Sequence, residues 1–79
     1  MKKLLIEIVG WYGAAAIILA YGLVSFGALG ATSAVYQLLN VTGAVGIVII
    51  SMTKQAYQPA ALNAVWTVIG LVALMRLFF

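Results

Sequence analysis

The chain has 79 residues, of which 67% are hydrophobic and only 6% charged, with a mean hydropathy of +1.25 and a formal net charge of +3. A soluble domain is about a quarter charged, so this composition excludes an ordinary water-soluble globule. The chain has no Cys and no His, and Glu7 is its one acid. It therefore lacks the groups for thiol, disulfide, zinc-type or paired acid–base chemistry. No enzyme is expected, and neither a cofactor nor a metal is called for.

The charged residues set the first division. Lys2, Lys3 and Glu7 lie near the start, and the next charges are Lys54 and then Arg76. A helix crossing a hydrocarbon core of ~30 Å needs about 20 apolar residues at 1.5 Å each. Residues 8–53 have room for two spans and a turn, and residues 55–75 for one. The turn falls in FGALGATS, where Gly27, Gly30, Thr32 and Ser33 cluster after Phe26. Helix 1 is expected over 4–26, helix 2 over 33–52 and helix 3 over 60–79. The connection TKQAYQP holds Lys54 and Pro59, and proline suits a helix start because its missing N–H would be unpaired there. The whole chain, 1–79, reads as one transmembrane domain.

MKK before an apolar run also fits a secretory signal peptide, with Ala31-Thr32-Ser33 as a cleavage site. The run is about 20 residues against 7–15 for such segments, and it contains Glu7. A retained first span is expected. With three spans, the face carrying Lys2, Lys3 and Lys54 opposes the face carrying Arg76. The positive-inside rule then puts the N-terminus in the cytoplasm and the C-terminus outside. Four basic residues split between two faces make no phosphate-binding stripe, so nucleic acid is not an expected partner.

Polar residues within spans are the informative ones, because leaving them unpaired in lipid is costly. At 100° per residue, Glu7, Gly10, Ala14, Ile17, Tyr21 and Ser25 share a line on helix 1. On helix 2 the line is Ser33, Gln37, Asn40, Ala44 and Ser51, flanked by Tyr36 and Gly43; on helix 3 it is Asn63, Thr67, Gly70 and Leu74, with Trp66 at its edge. The simplest packing turns these stripes inward. Gly10, Gly13, Ala14, Gly43, Gly46 and Gly70 are expected to permit close helix approach. Asn40 and Asn63 carry amides that could grip a polar solute or equally bond across helices. Glu7 has Lys3 at i−4 as its expected partner. Trp11, Tyr12, Tyr36, Phe26, Phe78 and Phe79 read as interfacial anchors, and Arg76 is expected to point away from the stripe and snorkel to headgroups.

WYG at 11–13, AY at 20–21, YQLLN at 36–40 and LNAVW at 62–66 resemble an uncharacterised family of small bacterial inner-membrane proteins. The resemblance covers nearly the whole chain and implies three spans. Three short spans with an Asn early in the third also resemble the SemiSWEET sugar transporters of the PQ-loop group. That resemblance implies a homodimer around a central solute pocket, with Asn63 at the position of the third-helix asparagine. Tyr21-Gly22 would stand where that group's first helix carries Pro-Gln, and Ile47 about where its second carries tryptophan, so neither of those motifs is present.

These readings lead to an all-α, integral membrane three-helix bundle assembling as a six-helix homodimer. Three helices enclose too little for a solute path, so transport needs a second copy. The leading expectation is a bacterial inner-membrane transporter for a small uncharged polar solute, working by alternating access. Asn63, Asn40, Trp66, Thr67 and Tyr21 would line its pocket, and Gly22 and Pro59 would supply flexibility. The alternative is a structural or accessory subunit whose stripes are helix interfaces. The lipid bilayer is a partner under either reading.

Overall fold

The computed structural model describes residues 2–30 and 33–79. Ala31 and Thr32 of the considered cleavage site lie outside the described residues. Three helices follow in order: α1 (Lys2–Ser25), α2 (Ala34–Thr53) and α3 (Tyr57–Phe78). At 1.5 Å per residue they run about 30–36 Å each, and the molecule's long axis measures 35 Å. All three are long and apolar enough to cross a membrane. Their outer surface is what lipid requires: Trp11 is 74% exposed, Ile18 71% and Phe26 90%. A soluble monomer does not expose apolar surface on this scale.

Backbone geometry explains where each helix stops. After α1, Gly27 takes φ 79°. The Gly27 N–H then donates to the Val24 carbonyl at 3.1 Å and the Ala28 N–H to the Leu23 carbonyl at 2.8 Å, the paired bonds of a Schellman motif. The same motif closes α2, where Ala56 N–H donates to Ser51 O at 2.8 Å and Gln55 N–H to Met52 O at 3.1 Å. There the left-handed residue is Gln55, at φ 57°. Ser33 caps the start of α2, its hydroxyl oxygen accepting from the Tyr36 N–H at 3.2 Å.

The predicted bounds shift accordingly. Helix 1 begins at Lys2 rather than residue 4, because the basic residues form its first turn. Helix 3 begins at Tyr57 rather than 60, so the α2–α3 connection is only Lys54–Ala56. Pro59 falls inside the first turn of α3, where it still costs no hydrogen bond. Trp11 and Tyr12 lie near the midpoint of α1 and are exposed on its outer surface. The Tyr12 hydroxyl lies 2.7 Å from Thr42 Oγ1, and the Thr42 hydroxyl is 2.7 Å from the Leu38 carbonyl. Thr42 donates to that carbonyl and accepts from Tyr12, which satisfies a phenol at membrane depth.

The three stripes do not all meet. α1 packs on α2 and α2 on α3, while the backbones of α1 and α3 stay apart among the described residues. The middle helix therefore has two packing faces. Toward α1 the contact is backbone on backbone: a Cβ placed on Gly13 would lie 2.6 Å from Gly43 O, and one on Gly46 would lie 2.7 Å from Val9 O. Gly10 admits the Ile50 side chain, whose Cβ would stand 2.8 Å from an added carbon. The buried face of α1 is Gly10, Gly13, Ala16 and Ala20, rotated from the predicted line, so that Tyr21 and Ser25 are exposed. Small residues won this face because only they let two backbones approach. Toward α3, Gly70 receives Val41, and Ala44, Ala60 and Asn63 are buried nearby.

Antiparallel α1 and α2 bring Lys2, Lys3, Glu7 and Lys54 to one end of the molecule. The expected Lys3 partner is replaced by Lys54, whose Nζ lies 3.2 Å from Glu7 Oε1. The short α2 cap holds Lys54 beside the first turns of α1, where it reaches the carboxylate.

Candidate solute-binding groove

With α1 and α3 on opposite flanks of α2, a groove of about 380 Å³ opens between them. Its floor is the α2 turn carrying Tyr36, Gln37 and Asn40; Ile17 and Tyr21 form the α1 wall, Trp66 and Ile69 the α3 wall. The polar line of α2 thus runs between its two packing faces, and Ala44 and Ser51 continue it, buried, toward the other end. The groove occupies the half of the molecule nearer the 26–33 turn. Asn40 stands about 5 Å from the midpoint of α2 at 1.5 Å per residue. Among the described residues, no charged side chain lines it.

The five residues expected to bind solute divide. Asn40, Trp66 and Tyr21 come together in the groove. Asn63 is buried in the α2–α3 interface at 9% exposure, and its amide donates to the Pro59 carbonyl at 3.0 Å. Thr67 donates to the Asn63 carbonyl at 2.8 Å and lies with Val45, Val48, Ile49 and Ala64 around a separate depression. The helical line joining Asn63 to Thr67 is the helix–helix seam, and the groove begins one side chain over, at Trp66 and Ile69. Asn40, by contrast, makes no hydrogen bond among the described residues; the residue is half-buried, with its amide open to the groove. Facing acyl chains, an amide without a partner would cost about 1–3 kcal/mol, whereas in the groove a ligand, water or another chain can engage it.

Tyr36 and Gln37, placed on or beside the polar line of helix 2 but not among the five residues expected to bind solute, join the groove. The signal for them was available: both lie one turn from Asn40, on or beside its line. Gln37 also borders a second depression with Ala73, Leu77 and Arg76. Arg76 is exposed in the last turn of α3, at the end opposite Lys54. Of the two hinge candidates, Gly22 has nothing within 4 Å of an added Cβ, so close packing does not account for its glycine. Pro59 supplies the carbonyl that holds Asn63.

Three apolar spans around an amide-floored groove define a multi-pass membrane protein. The chain belongs to an uncharacterised family, whose model matches residues 6–79. No curated protein and no solved structure matches it.

Proposed function

We propose that the protein is not an enzyme but a small transporter-like membrane protein. It binds a small uncharged polar solute in the groove and passes it across the bilayer as a homodimer. The observation that carries this reading is the Asn40 amide, without a hydrogen bond among the described residues, among Tyr21, Tyr36 and Trp66. Aromatic faces and amides suit a hydroxyl- or amide-bearing ligand better than an ion. A second copy would roof the groove and supply the other half of a SemiSWEET-like pathway with alternating access, Gly22 and Pro59 bending as the halves rock. The protein would sit in the bacterial inner membrane with its N-terminus in the cytoplasm, as Lys2, Lys3 and Lys54 at one end favour.

Proteoliposome uptake of labelled sugars, polyols and small amides tests this. Asn40→Ala should lower uptake about three- to tenfold, the loss of one hydrogen bond to ligand. Uptake unchanged in Asn40→Ala would remove the groove from the pathway. The accessory-subunit reading has one observation in its favour: Asn63 is bonded within its own chain and buried at a helix seam. Under it, no labelled solute is taken up and the protein co-purifies with a larger membrane assembly.

A further inference from the structure

A second cleft, of about 310 Å³, lies at the other end of the molecule, between the first turns of α1 and the last turn of α2. Lys3, Glu7 and Lys54 line it together with Ile6, Ile50 and Thr53. We propose that this cleft seats the headgroup of an anionic phosphodiester lipid, one whose head alcohol carries no charge, with Lys3 and Lys54 on the phosphate.

The argument begins with depth. The three charges sit where α1 begins and α2 ends, the level at which a span emerges among headgroups. Ile6, level with Glu7, and Ile50, about a turn below Lys54, give the cleft an apolar side, which suits the start of the acyl chains. Charge comes next. Glu7 neutralises Lys54 at 3.2 Å, and Lys3, the partner expected for Glu7, makes no ion pair among the described residues. Two ammonium groups against one carboxylate leave the cleft with a single excess positive charge, which one phosphodiester matches. A zwitterionic headgroup would bring its own ammonium and leave that excess in place. The donors are also limited. The Thr53 hydroxyl proton is committed to the Ile50 carbonyl at 2.7 Å, so the ammonium groups are the side-chain donors that remain. The Lys54 ammonium has three N–H bonds, and its side chain is 62% exposed, so engaging Glu7 does not exhaust it. Glu7 offsets part of the Lys54 charge and does not contact the phosphate itself.

The test is native mass spectrometry of the full chain in detergent, titrated with phosphatidylglycerol, phosphatidylethanolamine or inorganic phosphate. Phosphatidylglycerol should bind in preference to phosphatidylethanolamine. Lys3→Gln should weaken phosphatidylglycerol about fivefold, the effect of one basic residue near an anionic surface. Glu7→Gln should tighten it, by raising the excess charge, and helix content by circular dichroism should stay unchanged in both variants. Equal binding of the two lipids would overturn the proposal, as would a Lys3→Gln protein that holds phosphatidylglycerol like the parent. Loss of phosphatidylethanolamine binding in Glu7→Gln would instead identify Glu7 as an ammonium ligand and refute the anionic assignment. Saturation by inorganic phosphate alone would show that a free anion, not a lipid, is the occupant.

Discussion

The two asparagines carry the same side chain into different surroundings, and their substitutions should separate cleanly. Asn63 is buried and donates to Pro59 O within its own helix. Removing the amide deletes a buried contact without leaving a donor stranded. Asn63→Ala should cost on the order of 1 kcal/mol in α2–α3 packing, read by unfolding in detergent, with the groove intact. A drop in solute binding as large as that of Asn40→Ala would contradict this division. Both residues are conspicuous in the sequence as amides within spans, yet the sequence does not separate them. Asn63 shares its helical line with Gly70, and a small residue beside a polar one reads equally well as a pocket or a seam. A second residue-scale prediction concerns Gln55, held at φ 57° where glycine is the usual occupant. Gln55→Gly should raise stability by about 0.5–1 kcal/mol by relieving left-handed strain. A destabilised Gln55→Gly variant would mean that the Gln55 side chain contributes more than its backbone costs.

At the scale of elements, the α1–α2 contact rests on glycines whose hydrogens touch the opposing backbone. Gly13 faces Gly43 O and Ile47 N, where an added Cβ would lie 2.6 and 3.0 Å away. Neither obstacle is a flexible side-chain end, so the helices must part to admit a methyl group. Gly13→Ala should therefore destabilise by about 1–3 kcal/mol, although alanine favours the helix itself by ~1 kcal/mol. Gly22→Ala is the matched control, because an added carbon there meets nothing within 4 Å and only the helix-propensity gain should remain. If Gly13→Ala proves as stable as Gly22→Ala, the close approach of α1 and α2 is not what holds them. The existence of three spans follows from the positions of Lys54 and Arg76, and the turn after α1 from its glycines. The facing side of α1 was harder to read. Its hydrophobicity hardly varies around the helix, and the line drawn through Glu7, Tyr21 and Ser25 weighed polarity where atom size decided. On α2, the polar line and the small-residue face diverge; the first became the groove floor and the second the contact with α1.

For the whole molecule, the separation of the α1 and α3 backbones among the described residues leaves α2 flanked but not enclosed. A polar groove that opens sideways in a bilayer faces either acyl chains or another protein. Acyl chains offer Asn40 no hydrogen-bonding groups, whereas a second copy brings an identical set of amides and phenols to the same level. A twofold axis over the groove would set the α3 wall of one protomer, with Ile69, against the α1 wall of its partner, with Ile17, because at a C2 interface only residues on the axis meet themselves. The chain has no cysteine, so single-cysteine variants report contacts without background. Ile69→Cys co-expressed with Ile17→Cys, one on each groove wall, should form a disulfide-linked dimer in native membranes under mild oxidation. Val45→Cys, lining the separate depression with Thr67, should remain monomeric on the gel. The reverse pattern would put the partner on that other face and leave the groove to lipid. Cross-linking at neither position would leave the groove without a second copy to complete a passage, and the transporter reading would fall with it.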